Sequence, residues 1–329
     1  MSDLARKKSY LQHVIPLLDE HLADKMIQVI KANEKKQTNV LPVVQNDPFQ
    51  ELLSMVGCEN AKTELKAMIA DHRMRQIAKS RGRNTTQAHY HAVFMGNPGT
   101  AKTTCARLYA KALAKEGITQ KDKFAELSRS HLVGRYAGST APKIREVFRQ
   151  NAGGVLFIDE AYSLCSGEGR DYGEEAINEI ILCLENYPET VCIFAGYPDL
   201  MGGFLDSNPG LRSRIPYRVA FDDYSTEELV AISKVIANKQ GYEIAESATP
   251  KLFDLYETAR GRKDFGNGRS VRNVIEAAVR KKGIHLGVME DLSKFMNSEF
   301  SDEVLFILDE SCFADAEIYE PEVTRKIGF

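Results

Sequence analysis

The nine residues with the most chemical content in this chain of 329 are Gly96-Asn97-Pro98-Gly99-Thr100-Ala101-Lys102-Thr103-Thr104. They follow the apolar run His91 to Met95 and open a helix-patterned stretch. Such a loop wraps phosphates with successive backbone N–H groups and sets them on the positive end of a helix. It also brings a lysine to the β and γ phosphates and a hydroxyl to Mg²⁺. Asn97, Pro98, Gly99, Thr100, Ala101, Lys102, Thr103 and Thr104 are therefore the candidate cradle, with Lys102 on the phosphates and Thr103 on the metal. Ala101 stands where the standard pattern has glycine, and its methyl group is expected to fit only at negative φ, as the first turn of a helix gives.

A second constellation lies 57 residues after Lys102, where the apolar run Val155-Leu156-Phe157-Ile158 ends in Asp159-Glu160. Asp159 is suited to hold Mg²⁺ through water and Glu160 to polarise an attacking water. Phosphoryl transfer also needs positive charge at the γ-phosphate, and an arginine placed there contributes roughly 10³ to 10⁵ in rate. Asn208-Pro209-Gly210-Leu211-Arg212-Ser213-Arg214 offers two. Arg214 is the first candidate, and Arg212 reads equally well as a surface cation. Arg269 and Arg272 follow Gly266-Asn267-Gly268 at i and i+3. One of them could reach the phosphates and couple nucleotide state to the angle between domains, or else pair with a neighbouring helix.

These residues need a scaffold that places strand ends beside helix starts. Apolar strands are expected over 92–95, 124–128, 155–158, 191–195 and 217–221, alternating with helices over 103–116, 141–150 and 174–185. That order gives a parallel five-stranded sheet covered on both faces, an α/β fold. One helical pattern runs over 51–79 ahead of it. After Asp222 the pattern is helical only, opening on Ser225-Thr226-Glu227-Glu228, a capping box, and continuing over 250–259 and 269–282. The expected organisation is a helical arm and linker over 1–48, an α/β domain over 49–222, a small helical lid over 223–300 and an acidic tail over 301–329.

With 43% hydrophobic and 27% charged residues the chain is ordinary globular protein. Its 43 basic and 46 acidic residues give −3, which argues against a dedicated nucleic-acid binder. No apolar run approaches a membrane span or a secretory leader, so a cytoplasmic address is expected. Six cysteines without a CxxC pair read as reduced, structural thiols. The balance hides a division: residues 51–150 hold 18 basic and 8 acidic side chains, whereas 151–200 hold 1 and 10. Copies packed side by side could set a basic flank on an acidic one, provided the two are not interleaved on one surface.

The phosphate loop, the Asp159-Glu160 strand, Asn208 to Arg214 and Gly266-Asn267-Gly268-Arg269 together resemble the AAA+ ATPases. More narrowly they resemble the group of red-type rubisco activase and stage V sporulation protein K. That narrower resemblance rests on Leu132-Val133-Gly134-Arg135-Tyr136-Ala137-Gly138-Ser139-Thr140-Ala141-Pro142-Lys143, on Gly153 to Tyr162 and on Phe194-Ala195-Gly196-Tyr197. It implies a P-loop core with a helical lid, ATP with Mg²⁺, and a homo-oligomer, a hexameric ring with nucleotide between subunits. It also implies Arg214 acting on a neighbour's nucleotide, Arg269 as sensor 2 with Arg272 as the fallback, and Tyr197 in the place of sensor 1. Tyr136, Ala137 and Gly138 take the position of a channel loop that grips a protein substrate, whose identity the resemblance leaves open. The function so implied is ATP-driven remodelling of a protein partner. A nucleotide-gated scaffold timed by hydrolysis, or a rubisco activase proper, is the alternative.

Overall fold

The computed structural model describes residues 47–86, 88–136, 138–165, 173–262, 265–288, 295 and 300–314. The expected arm before residue 47, the loop 166–172 and the stretch 315–329 lie outside them. The helix expected over 51–79 is two helices, α1 (Pro48–Ser54) and α2 (Glu59–Ser80). Between them Gly57 and Cys58 both take left-handed backbone, at φ 66° and 59°, and no helix continues through two such residues. A side chain at Gly57 would stand 2.8 Å from the Tyr224 ring, so the break also lets the chain pass under the domain junction.

The α/β domain follows the expected order. It runs β1 (Ala92–Gly96), α3 (Lys102–Lys115), β2 (Phe124–Leu127), α4 (Arg129–Leu132), α5 (Thr140–Gln150), β3 (Val155–Ile158) and α6 (Gly173–Asn186). It ends with β4 (Val191–Gly196), α7 (Pro198–Asp206), α8 (Pro209–Arg214) and β5 (Tyr217–Phe221). All five strands are parallel, in the order β2-β3-β4-β1-β5. Successive side chains point to opposite faces: Phe94 and Phe157 pack with α2 and α3, while Val93, Leu156 and Ile158 pack with α5, α6 and α7. Every residue of β3 is fully buried, the signature of a strand covered on both sides. The C-terminal ends of β1, β3 and β4 therefore open on one edge of the sheet, where parallel α/β proteins place their ligands.

The second domain begins at the expected capping box. In α9 (Thr226–Lys239) the Glu228 N–H donates to Ser225 Oγ at 3.2 Å and Ser225 N–H to Glu228 Oε2 at 2.8 Å. Helices α10 (Thr249–Arg260) and α11 (Gly268–His285) pack with it around Leu229, Tyr256, Val271 and Ile275. The domain is not helical only. A short strand β6 (Glu243–Ile244) pairs in parallel with β7 (Ile307–Leu308), which follows α12 (Asp302–Phe306). Residues assigned from sequence to the tail thus complete the lid, because Leu308, Cys312 and Phe313 fill its core. Among the described residues no helix is long and apolar enough to cross a membrane.

Candidate nucleotide site

A cleft of about 770 Å³ lies where the open edge of the sheet meets the lid. The phosphate loop forms its floor through Pro98, Gly99, Ala101, Lys102, Thr103 and Thr104, and Asp159 and Glu160 enter from the end of β3. Tyr197 comes from the end of β4, and Arg269 and Arg272 come from the first turns of α11. Residues far apart in the chain, with the chemistry expected of each, thus converge on one cavity. Asn97 and Thr100 do not line it. The Asn97 amide holds Asp223, and the buried Thr100 hydroxyl donates back to the Asn97 carbonyl at 2.8 Å, so both side chains brace the loop.

Ala101 departs from its expected conformation. It caps α3 at φ 67° and ψ 19°, in the left-handed region, instead of joining the first turn at negative φ. The loop keeps the path a glycine would take, at a strain of about 1 to 2 kcal/mol for the extra methyl group. Four non-glycine residues among those described have positive φ, namely Cys58, Ala101, Glu160 and Asn267. Ala101 and Glu160 line the cleft, Asn267 precedes its Gly268, and the Cys58 thiol faces the Thr100 carbonyl. Strain of this kind persists where the surroundings over-determine the backbone, and it gathers at functional sites.

Charge is held close here. Lys102 Nζ donates to the carbonyls of Gly96 at 2.7 Å and Asn97 at 2.8 Å. Burial lowers its pKa and the nearby Arg269 lowers it further, while Asp159 and Asp223 oppose the shift. The backbone N–H of Glu160 donates to Asp159 Oδ1 at 3.0 Å, which holds the Asp159 carboxylate against the end of β3. Burial, ahead of the nearby Glu160 charge, pushes the Tyr162 hydroxyl up to about 12, so it stays protonated beside that carboxylate. Sequence reasoning assigned Tyr162 no role. Its place two residues after Glu160, at the start of a single 3₁₀ turn over Ala161–Cys165, was the available signal.

The cleft also has apolar lining: Met55 and Val56 come from the chain after α1, Leu108 from α3, and Ile232, Val235 and Ile236 from α9, which also brings Lys239. Reading motifs missed these residues, since ordinary core-type side chains carry no chemical pattern. A wall of such groups suits a flat base, while the lysine, arginines and loop amides suit a polyphosphate. Among the described residues no group of three or more His, Cys, Asp or Glu could hold a metal alone. One hydroxyl and one carboxylate, Thr103 and Asp159, suit Mg²⁺, which takes few protein ligands and completes its shell with phosphate oxygens and water.

Arg212 and Arg214 lie outside the cleft on α8. Arg212 pairs with Asp206, and Arg214 pairs with Glu185 and donates to the Gly210 carbonyl at 3.2 Å. Tyr136 is also remote from it, 77% exposed on the loop between α4 and α5, with Gly138 at φ 75° beside it. Ala137 lies outside the described residues. Ser139 Oγ donates to the Tyr136 carbonyl at 2.6 Å and accepts its N–H at 3.1 Å, so the loop is braced beneath an exposed ring.

The sequence matches the family described as ATPase family associated with various cellular activities (AAA) over residues 92–215, and the AAA lid domain over 225–310. It is 39% identical to stage V sporulation protein K of Bacillus subtilis, covering 72% of this chain and 75% of that protein. It is likewise 39% identical to the chloroplastic ribulose bisphosphate carboxylase/oxygenase activase of Cyanidioschyzon merolae, over 74% of this chain and 83% of that one. Protein CbbX of Cereibacter sphaeroides is also 39% identical, over 70% and 74%. The FIGL-1 AAA domain, solved in complex with ADP, superposes with a TM-score of 0.54 at 18% identity, over 82% of this chain and 84% of that one, and so shares the fold. A loop, carboxylate pair and lid arginines converging on one cleft, together with these matches, make the chain an ATP-hydrolysing member of the AAA+ family, related to the rubisco-activase and CbbX proteins and to stage V sporulation protein K.

Proposed function

We propose that this chain works as a ring, a hexamer, that uses ATP hydrolysis to pull on an exposed segment of a protein partner. Lys102 and the loop amides hold the phosphates, Thr103 and Asp159 would hold Mg²⁺, and Glu160 takes a proton from the attacking water. The metal supplies charge neutralisation at the phosphate oxygens. Arg269 reports the γ-phosphate to the lid, with Arg272 one turn behind it. Arg214 completes the site of the next copy, since it stands outside its own.

The observation that carries the partner reading is Tyr136. A large aromatic left 77% exposed on a braced loop, two residues before Gly138, is not packed away among the described residues and offers an apolar grip to peptides of many sequences. The names of the relatives, a sporulation protein and an activase of ribulose bisphosphate carboxylase/oxygenase, differ in what they say, so no particular partner is carried over. The test is a Glu160→Gln trap incubated with ATP in an extract of the native cell. Proteins retained by the trap should be lost when Tyr136→Ala is added and kept with Tyr136→Phe. Retention indifferent to Tyr136 refutes the grip and leaves the nucleotide-gated scaffold.

A further inference from the structure

The phosphate loop and the lid are bonded to each other directly, through a residue with no assigned role. Asn267 is fully buried and sits at φ 49°, ψ −127°, a conformation that only glycine adopts without strain. Its Nδ2 donates to the Pro98 carbonyl of the phosphate loop at 3.3 Å and to Asp223 Oδ1 at the domain junction at 2.8 Å. Its Oδ1 accepts the Tyr224 N–H at 3.1 Å. Asp223 in turn receives both contacts of the Asn97 amide, at 3.1 and 3.0 Å. Beside this hub the Gly268 N–H donates to the Gly99 carbonyl at 3.1 Å, and a side chain at Gly99 would lie 2.0 Å from the Gly266 carbonyl.

One side chain therefore ties the loop, the junction and the start of α11, and its three hydrogen bonds hold a strained backbone in place. We propose that Asn267 is a positioning residue for ATP hydrolysis. With Asp223 it fixes the loop carbonyls of Pro98 and Gly99 against the lid, so that the loop's path and the lid's angle change together. Arg269 is two residues further on, so the hub also sets where that guanidinium enters the cleft. The link runs through the loop backbone and is separate from any contact the lid arginines make with phosphate. A group acting this way alters how tightly the cleft closes on nucleotide more than it alters the chemical step.

Three variants of the full chain test this, read by steady-state ATP hydrolysis and by thermal denaturation. Asn267→Gly relieves the backbone strain and removes the three side-chain bonds, so the fold is retained. Its KM for ATP is expected to rise about tenfold with kcat changed less than threefold. Asn267→Asp sets a carboxylate against Asp223 and the Pro98 carbonyl, and should raise KM at least as much. Adding Asp223→Asn to Asn267→Asp exchanges donor and acceptor, because the amide now at 223 can donate to the carboxylate at 267. This should bring KM back at least threefold towards that of the parent. A residue that merely packs would lower the melting temperature, leave KM of the folded fraction alone and gain nothing from the exchange. A KM for Asn267→Gly within twofold of the parent, or failure of the exchange to restore KM, overturns the proposal.

Discussion

Ala101 and His91 show how single residues set the limits of this fold. At Ala101 the left-handed backbone is kept although a glycine would hold it with less strain, so Ala101→Gly should stabilise the protein by about 1 kcal/mol. That corresponds to a melting temperature higher by about 2 to 4 °C, and a lower one in calorimetry would refute the strain. His91 precedes β1, is buried, and accepts the Cys192 N–H on Nδ1 at 3.1 Å, while its Nε2 finds no partner among the described residues. Burial, helped by the charge of His89, lowers its pKa from 6.5 to about 3. The unfolded chain therefore binds a proton near pH 6.5 that the folded one refuses until about 3. Stability from this group is full above pH 6.5 and falls by up to about 1.4 kcal/mol per pH unit between those values. His91→Asn keeps an acceptor for Cys192 without titrating. Urea denaturation between pH 7 and 5 should show a shallower loss for it than for the parent, and parallel losses would remove His91 from the account.

At the scale of elements, the strands were legible because burial on both faces demands apolar residues at every position, as in Val155 to Ile158, and such runs have sharp ends. The capping box at Ser225 was legible because its two hydrogen bonds need two residue types at a fixed spacing. The pieces that escaped depend on partners distant in sequence. The pairing of Ile307–Leu308 with Glu243–Ile244 is too short to have a period of its own, and the apolar wall from Met55 to Ile236 looks like any core. The first of these has a consequence for the lid. Phe313 is fully buried and closes the lid core with Leu308, so Phe313→Ala should cost about 3 to 5 kcal/mol. Because α11 carries Arg269 and Arg272, loosening the lid should weaken nucleotide binding as well as lower the melting temperature. If Phe313→Ala keeps the parent's denaturation midpoint, residues 302–313 do not belong to the lid's cooperative unit.

At the scale of the whole molecule, the division of charge read from the sequence does not become two clean flanks. The basic helix α5 packs beside the acidic α6, and Arg145 pairs with Glu179 within one chain at 2.7 Å. Arg214, from outside the basic segment, takes up Glu185, so a second carboxylate of the acidic segment is paired within the chain. Less charge is therefore left over for packing copies side by side, while Arg212 and Arg214 both lie outside the cleft of their own chain. An ion pair as exposed as Arg214 with Glu185 holds by about 0 to 1 kcal/mol, so little opposes transfer of Arg214 to a neighbour's phosphates. Complementation between inactive variants decides the matter. Arg214→Ala and Glu160→Gln should each be nearly inactive alone. Where subunits exchange freely in a head-to-tail ring, a 1:1 mixture should recover roughly a quarter of the sites, those in which an Arg214→Ala copy receives Arg214 from a Glu160→Gln neighbour. Were Arg214 to serve its own chain's nucleotide, every site in the mixture would still lack one group and no activity would return.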